Sequence, residues 1–328
     1  MRRSDDALAT LALVSRLSVG VVQPLKASEY WKLSALLEAA PSSLLGKTAA
    51  DLAVGSGISS SLADRVAALV DRATALAFEL ERLEHSGVQT LTPFDEHYPS
   101  NWTQRLGPKA PPLLYAAGSV ELLDTAGLGV VGSRDVSPSG AEVAVEAAKC
   151  AARHSIPLVS GGARGVDQLA MNSAFDSGGA VVGLLADSLS RKLAKSDVRA
   201  AIHSGLALMC TPYNPDAGFS AGNAMGRNKL IYAQSTLTLV VASDEDNGGT
   251  WSGATEALDH KFGRVAVWRG PGEGPGNEAL ERRGALPISD LDDLERLLDD
   301  GDANTTPDAS PLASEAEQGV LFSIATAD

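Results

Sequence analysis

The sequence has few aromatic residues, few cysteines and no apolar run long enough to span a bilayer. Aromatic residues make up 5% of the 328 residues, and the two cysteines are Cys150 and Cys210. Both cysteines lie in apolar runs, which is typical of reduced packing residues. Residues 1–17 place acidic side chains beside arginines and contain no cleavage-like site, so we expect no signal peptide. These absences favour a cytoplasmic protein that does not bind membranes.

Several motifs of nucleotide and metal chemistry are also missing. No G-x-G-x-x-G follows the first predicted strand of the sheet, which disfavours a nicotinamide or flavin dinucleotide. No G-x-x-x-x-G-K-[ST] occurs anywhere, which disfavours a P-loop ATPase. The two cysteines lie far apart, and metal-ligand spacing is absent from the five histidines, which are His85, His97, His154, His203 and His260. We therefore predict no cofactor and no metal.

The net charge of −14 is distributed unevenly along the chain. Residues 1–124 hold 11 basic and 14 acidic side chains, and residues 125–270 hold 13 of each. Residues 271–328 hold 3 basic and 14 acidic side chains, so most of the acidity lies in this last segment. The central region is neutral overall and can carry a local basic patch, which leaves nucleic acid open as a ligand.

The centre of the chain repeats the order strand, glycine turn, helix. Leu128–Val131 is an apolar run, and Ser137-Pro138 then starts a helix with small apolar residues on one face through Ala152. A second run, Ile156–Val159, ends in a glycine turn before a helix near Val166. Four later apolar runs are predicted as strands: Ala180–Leu185, Leu206–Cys210, Leu237–Ala242 and Val265–Trp268. This order predicts an α/β fold with a Rossmann-like, doubly wound, mostly parallel sheet.

Two of the turns combine glycine with arginine. Gly132, Ser133 and Arg134 follow the first central strand, and Gly162 and Arg164 follow the second. Glycine lets the backbone approach a ligand closely, and the next helix directs free N–H groups towards an anion. Guanidinium groups in the same turns suit phosphate. The alternative is that the glycines only shorten the turns and the arginines are solvated. We expect Asp167, at the start of the second helix, to cap that helix rather than to act in catalysis.

Other residues are candidates for contacts with nucleic acid. Lys192 and Lys195 belong to a basic cluster on a predicted helix, which is either a solvated face or a phosphate contact. Phe219 lies in a Gly/Ala/Ser loop and either stacks on a base or packs down. We place Arg227, Asn228 and Lys229 at a helix start. A third glycine turn at a strand end contains Thr250, Ser252 and Gly253.

The predicted organisation has four parts. Residues 1–90 form a small helical domain, in which one long helix runs from Leu62 to about Glu84. Within it, Val54–Ile58 weakly resembles the hairpin of a helix-hairpin-helix module, and a domain for protein contacts is an alternative.

Residues 91–125, rich in proline, form an extended connector that joins the sheet. Residues 126–272 form the Rossmann-like domain. Residues 273–328 form an acidic, largely disordered tail with one possible short helix near Leu291–Leu298.

From about Tyr98 to Gly272 the chain resembles the DNA-processing protein A family, DprA or Smf. The similar segments are YPSNWTQRLGPKAPPLLYAAGSVELL, VVGSR, VSGGARGVDQLA, GRNKLIYAQS and HKFGRVAVWRGPG. The resemblance implies a Rossmann-like fold, a homodimer, binding of single-stranded DNA and delivery of that DNA to a RecA-type recombinase. It places the DNA pocket at Gly132, Ser133, Arg134, Gly162, Arg164, Arg227, Asn228 and Lys229. The chain has Arg-Asn-Lys where the family commonly has Arg-Asn-Arg, and its third turn is longer.

Two other functions remain open from the residues alone. Gly248-Gly249-Thr250 with Glu256 resembles the turn of nucleoside-monophosphate phosphoribohydrolases, in which a glutamate aids glycosidic cleavage. A domain that binds a small nucleotide without cleaving it is the other alternative. We predict a protein without enzymatic activity that binds and protects single-stranded DNA. Its role in transformation, repair or defence against foreign DNA is left open by the sequence.

Overall fold

The computed structural model describes residues 3–17, 20, 22–37, 40–55 and 57–303. The helices are α1 (Asp5–Val14), α2 (Ala27–Leu37), α3 (Ala49–Gly55), α4 (Ser60–Asp71), α5 (Ala73–His85), α6 (Ser100–Leu106), α7 (Pro138–Arg153), α8 (Val166–Asp176), α9 (Leu189–Leu193), α10 (Ser196–His203), α11 (Ala221–Gln234), α12 (Gly248–His260), α13 (Asn277–Arg282) and α14 (Leu291–Ala303). The strands are β1 (Gln89–Leu91), β2 (Leu114–Gly118), β3 (Gly127–Val131), β4 (Leu158–Ser160), β5 (Val181–Leu184), β6 (Ala207–Thr211), β7 (Ser235–Val240), β8 (Arg264–Trp268) and β9 (Leu286–Ile288).

All nine strands form one sheet in the order β1-β2-β6-β5-β4-β3-β7-β8-β9. In this spatial order, the seven neighbouring strands that begin with β6 and end with β9 pair in parallel. β2 pairs antiparallel with β6, and β1 pairs antiparallel with β2 at the edge of the sheet. From β3 the chain winds outwards through β4, β5 and β6, and then returns to place β7 on the other side of β3. The sheet therefore has a topological switch point between β3 and β7, where doubly wound proteins bind ligands. The predicted α/β, mostly parallel fold is confirmed.

Helices cover both faces of the sheet because its strands alternate their side chains between two apolar cores. In β7, Leu239 packs with α7, α8 and α14, whereas the next residue, Val240, packs with α6, α11, α12 and α13. The largest fully buried side chain of the core that contains Val240 is Trp102. Its indole Nε1 donates a hydrogen bond of 2.9 Å to Gln234 Oε1 and so fastens α6 to the end of α11.

The N-terminal helices share a third core with the edge of the sheet. Leu13, Leu33 and Leu69 pack in one cluster with Tyr115 of β2 and Met209 of β6. The helical region therefore lies against the sheet rather than apart from it. Among the described residues, no helix combines the length and the apolar character needed to cross a bilayer.

The single long helix expected from Leu62 to Glu84 is wrong. The chain breaks at Arg72 into α4 and α5. The Arg72 guanidinium donates hydrogen bonds to the carbonyl oxygens of Ala12, Leu17 and Ser15, at the carboxyl end of α1. Ala12 lies in the last turn of α1, where carbonyl groups lack partners within the helix, and Ser15 and Leu17 follow it. The break thus places a cation where one is favourable. The hairpin expected at Val54–Ile58 includes Ser56, which lies outside the described residues.

Residues 91–125 are not one extended segment. They contain α6 and the antiparallel strand β2, although the prolines still begin or end the elements. Pro99 is the N-cap of α6, and Pro111 lies between α6 and β2, where its carbonyl accepts a hydrogen bond of 2.7 Å from Tyr98 Oη. The expectation that this segment joins the sheet agrees with the antiparallel pairing of β2 with β6.

The first part of the acidic C-terminal segment is also folded, whereas the sequence predicts a largely disordered tail from residue 273. The possible short helix near Leu291–Leu298 corresponds to α14. β9 pairs in parallel with β8, and α14 packs against α7 and β7. Leu280, Ile288, Leu294 and Leu298 are buried. Sequence patterning underestimated this region because β9 is only three residues long and α14 has few apolar positions among many acidic ones.

Candidate nucleic-acid interface

A cavity of about 330 Å³ lies at the switch point between β3 and β7. Its walls come from the turn after β3, the turn after β4, the segment between β7 and α12, and one face of α11. The lining residues that carry its chemistry are Gly132, Ser133, Arg134, Asp135, Ala163, Asp167, Arg227, Asn228, Asp244, Asn247, Gly248, Gly249 and Thr250. The carboxyl ends of parallel strands meet at this edge, so three turns distant in sequence converge on one cavity.

The first and third turns are joined by a hydrogen bond. Thr250 Oγ1 donates to the carbonyl oxygen of Gly132 at 3.0 Å. A side chain at Gly132 would bring its Cβ within 2.7 Å of the Val166 side chain, so the close approach of β3 to α8 requires glycine here. Within the first turn, Ser133 Oγ accepts a hydrogen bond of 3.1 Å from the backbone N–H of Asp135. The Ser133 hydroxyl therefore shapes the turn.

The second turn is organised by the buried carboxylate of Asp167. This carboxylate accepts hydrogen bonds from the backbone N–H groups of Gly161 at 3.2 Å and Ala163 at 3.4 Å. Gly162 and Gly165 in the same turn have φ values of +66° and +84°, which glycine adopts without strain. The expected capping role of Asp167 is wrong: Gly165 is the N-cap of α8 and no side chain caps this helix. The Asp167 carboxylate instead holds the turn that precedes α8.

Arg227 is buried opposite Asp167, and its side chain is not free to solvent. It is 5% exposed, and its Nη1 donates a short hydrogen bond to the carbonyl oxygen of Leu184. Among the residues that the structure describes, its Nε has no hydrogen-bond partner. Burial lowers the pKa of Arg227 and raises that of Asp167, and the opposite charge of each group works against the other's shift. Any Cβ at Gly161 would overlap the guanidinium group, so glycine is required beside it.

The expected location of Arg227, Asn228 and Lys229 at a helix start is wrong. α11 begins at Ala221, six positions before Arg227, with Ser220 as its N-cap. The three residues lie in the second and third turns of the helix, where free N–H groups are absent. Their side chains lie on different faces of α11. Arg227 and Asn228 line the switch-point cavity, whereas Lys229 lines another cavity.

Arg134 is the cation of the cavity that is available to a ligand. Its guanidinium carbon lies 5.6 Å from the centre of the Phe219 ring, within the range of a cation–π contact. No described carboxylate forms an ion pair with it. Phe219 is 59% exposed, so its ring has not packed into a core. The pair presents a positive charge and an aromatic face side by side.

Among the predicted site residues, the described lining of the cavity does not include Gly162, Arg164, Phe219, Ser252 or Gly253. Arg164 Nη2 forms an ion pair of 2.7 Å with Asp135, and both side chains are largely exposed, so the pair stabilises little. Asn228 Nδ2 donates a hydrogen bond of 2.9 Å to the carbonyl oxygen of Gly249, and a Cβ at Gly253 would lie 3.2 Å from Asn228. The hydroxyl of Ser252 donates to the carbonyl oxygen of Gly248 at 3.0 Å.

The N-terminus of α12 points its charge at the cavity. α12 begins at Gly248, and the side chain of its N-cap residue, Asn247, makes no capping hydrogen bond. The first N–H groups of a helix carry partial positive charge and favour an anion. Because Asn247, Gly248, Gly249 and Thr250 all line the cavity, this helix end is the strongest anion-attracting feature beside Arg134.

The remaining predicted lysines lie elsewhere. Lys192 belongs to α9 and Lys195 precedes α10, and neither is among the described residues that line the switch-point cavity. Lys229 lines a separate cavity of about 490 Å³ between the sheet and the N-terminal helices, together with Arg16, Lys26 and Lys109. Burial lowers the pKa of Lys229. The residues of the Arg-Asn-Lys motif thus line two different cavities.

Glu256, the candidate catalytic glutamate of the hydrolase alternative, is directed away from the cavity. It forms an ion pair of 3.0 Å with Lys109 and is not among the described lining residues. The carboxylates that do line the cavity are Asp135, Asp167 and Asp244. Of these, Asp135 is paired with Arg164, and Asp167 is buried beside Arg227. Sequence reasoning did not single out Asp244 or Asn247, although Asn247 lies in the third glycine turn.

Comparison with known proteins identifies the family. The family model for DNA recombination-mediator protein A matches residues 89–299. The chain belongs to this family. It is 30% identical over 280 residues to a curated DNA processing protein DprA of Mycobacterium tuberculosis, a match that covers 76% of this chain and 68% of the relative. The resemblance stated from the sequence motifs is thereby confirmed.

Two solved structures of DNA processing protein A share the fold. The protein from Streptococcus pneumoniae superposes with a TM-score of 0.68 at 21% identity, covering 90% of this chain and 98% of that one. The protein from Helicobacter pylori superposes with a TM-score of 0.54 at 25% identity, covering 65% of this chain and 96% of that one. The latter structure is described as giving insight into a single-stranded DNA binding mode.

Proposed function

We propose that this family member binds single-stranded DNA at the switch-point cavity, protects it and delivers it to a RecA-type recombinase. The observation that carries the proposal is that Arg134 and the first residues of α12 line the same cavity, with the exposed Phe219 ring in contact with Arg134. An arginine and a helix N-terminus suit one phosphate, and an exposed aromatic ring suits one unpaired base. The family assignment and the DNA-binding relative support the same function.

The size of the cavity favours a single strand over a duplex. A volume of about 330 Å³ admits part of one nucleotide. A duplex hides its base faces in the stack, whereas stacking on Phe219 requires a base that is unpaired. We propose that the protein works without catalysis, since the glutamate of the hydrolase alternative pairs with Lys109.

Three further parts of the proposal concern the setting of the protein. The resemblance supports a homodimer and a RecA-type recombinase as partners, which light scattering of the purified chain and pull-down of the recombinase would measure. Cys150 and Cys210 are both buried and form no disulfide, which fits a reducing compartment and supports the cytoplasm.

The test compares fluorescence anisotropy of labelled oligo-dT with that of a duplex of equal length, without ATP or metal. We expect tighter binding of oligo-dT, with a log–log salt slope of about −0.7 per phosphate contacted. Arg134→Ala should weaken binding by about 1.5–3 kcal/mol, because a hydrogen bond to a charged group is lost. Arg296→Ala, which removes an exposed arginine of α14, is the matched control and should bind like the unchanged chain.

Four outcomes would contradict the proposal. Duplex binding as tight as oligo-dT binding would rule out the cavity as a single-strand site. An Arg134→Ala variant that binds like Arg296→Ala would place the DNA elsewhere. Release of free base from nucleoside monophosphates would establish the hydrolase alternative, and tight binding of a mononucleotide without oligo-dT binding would establish the nucleotide-sensing one.

A further inference from the structure

The carboxyl end of α7 and the middle of α14 bring together a thiol, an imidazole and a carboxylate. Cys150 and His154 are four positions apart on consecutive turns at the end of α7, and Glu295 approaches them from α14. Their ligand atoms all lie within 4.8 Å of one another. Asp299, one turn after Glu295, places a carboxylate oxygen 3.7 Å from His154 Nδ1. Each helix thus contributes two side chains at i and i+4 spacing.

Sulfur, nitrogen and oxygen ligands in this combination suit Zn²⁺ better than the hard cations. Thiolate and imidazole are preferred ligands of Zn²⁺, whereas Mg²⁺ and Ca²⁺ prefer oxygen. Zinc–ligand bonds of about 2.0–2.3 Å in a tetrahedron separate neighbouring ligand atoms by roughly 3.5 Å. The side chains therefore need to close by about 1 Å, which rotation of His154 and Glu295 can provide because both are only half-buried.

The surroundings both favour and oppose a cation. The described side chains of α14 include four acidic ones, Asp292, Asp293, Glu295 and Asp299, and one arginine, Arg296. Against this, Arg153 Nη2 forms an ion pair of 2.7 Å with Glu295 Oε1 and would have to share that carboxylate or move. The Cys150 thiol must release its proton to solvent when it binds the metal, and burial raises its pKa to about 11.

We propose that Cys150, His154 and Glu295 bind Zn²⁺, with Asp299 or a water as the fourth ligand, and that the metal fastens α14 to α7. α7 is 16 residues long, about 24 Å, and begins beside the switch-point cavity. The metal site lies at its other end, so it stabilises the C-terminal helix without contacting the proposed DNA site. The inference is independent of the DNA-binding function.

The test is titration of the purified full chain with Co²⁺ as a spectroscopic substitute for Zn²⁺, after treatment with a chelator and under reducing conditions. We expect one equivalent of Co²⁺ to produce a thiolate-to-cobalt charge-transfer band together with the visible bands of a tetrahedral ion. Zn²⁺ should then displace the cobalt and remove both signals. The melting temperature of the full chain should rise with Zn²⁺.

Variants separate ligands from neighbours. His154→Gln and Glu295→Gln, at half-buried positions that tolerate the change, should each weaken Co²⁺ binding at least about tenfold, and Cys150→Ser should remove the charge-transfer band. Cys210→Ser and His203→Gln are the matched controls, since they change the other buried cysteine and another histidine at a helix end. Their spectra should equal that of the unchanged chain.

Absence of the charge-transfer band in the unchanged chain would overturn the proposal. The same band in Cys150→Ser, or equal Co²⁺ affinity in His154→Gln and Glu295→Gln, would also overturn it. Circular dichroism of each variant distinguishes loss of a ligand from loss of the fold. Oligo-dT affinity should be the same with and without Zn²⁺.

Discussion

At the scale of single residues, the three arginines of the candidate site differ in how they are paired. Arg134 lies against the Phe219 ring, Arg164 shares an exposed ion pair with Asp135, and Arg227 is buried. A ligand phosphate can reach Arg134 without breaking an existing ion pair. Arg227 instead holds the turn after β4 and the end of β5 in place, through the Leu184 carbonyl and the charge of Asp167. The three arginines therefore have different structural roles, although each lies in a motif that the sequence assigns to the same site.

The buried pair leads to a prediction about stability. Asp167→Ala should lower the free energy of unfolding by about 3–5 kcal/mol, because Arg227 would keep its buried charge and lose the carboxylate that opposes it. Urea denaturation followed by circular dichroism measures the effect. Asp176→Ala, which changes an exposed carboxylate at the end of the same helix, should change the free energy of unfolding by less than about 0.5 kcal/mol.

A double variant separates pairing from packing. Asp167→Ala combined with Arg227→Met should recover part of the loss, since the remaining side chain is apolar and carries no charge. A single Asp167→Ala variant that is as stable as Asp176→Ala would show that the two buried groups do not depend on each other.

At the scale of elements, the parts predictable from sequence were those whose signal is local. β3, β7 and β8 are short apolar runs between turn residues, and α7 begins where Ser137-Pro138 indicates an N-cap and a first turn. The three glycine turns could be placed at one edge of the sheet because parallel strands require it. Strand ends differed by one or two residues, as expected where apolar runs extend beyond hydrogen-bonded pairs.

What could not be predicted depends on contacts between distant segments. At the break between α4 and α5, the Arg72 side chain binds the carbonyl group of Ala12 in α1, 60 residues away in sequence. The burial of Arg227 depends on β5 and on Asp167, and an arginine in a motif gives no sign of it. Likewise, Cys150 and His154 have helical spacing in the sequence, but only the docking of α14 adds Glu295.

The folded C-terminal helix leads to a prediction about truncation. A chain ending at residue 303 should keep the stability of the full chain, since it retains α14 with the buried side chains of Leu294 and Leu298. A chain ending at residue 288 loses both leucines and exposes the core beneath them. We expect it to lose about 3–6 kcal/mol of unfolding free energy, at about 1.5–3 kcal/mol for each buried leucine.

Urea denaturation of the two truncated chains checks this prediction. The shorter chain should also bind a hydrophobic dye if part of the core beneath α14 becomes exposed. Equal stability of the two chains would mean that α14 contributes nothing to the core and that the segment behaves as the disordered tail expected from its composition.

At the scale of the whole molecule, the acidic side chains of the C-terminal segment are unevenly placed relative to the switch-point cavity. Residues 271–303 hold 10 of the 14 acidic side chains of the C-terminal segment, and residues 304–328 hold the other four. Most of this acidity therefore belongs to the folded layer of α13, β9 and α14. The part of α14 that carries Glu295 and Asp299 packs at the end of α7 remote from the cavity. The acidic side chains at this part of α14 are thus not positioned to compete with a phosphate for Arg134, whereas the start of α13 contacts Ser243 of the cavity lining.

The central claim is that DNA occupies the switch-point cavity, and mapping of photo-crosslinks tests it most directly. Oligo-dT containing 4-thiothymidine would be irradiated in complex with the full chain, and the crosslinked peptides identified by mass spectrometry. The account predicts crosslinks at Phe219 and within residues 132–135 and 247–250, all at one edge of the sheet. Crosslinks confined to the N-terminal helices, or to Lys192 and Lys195, would contradict it.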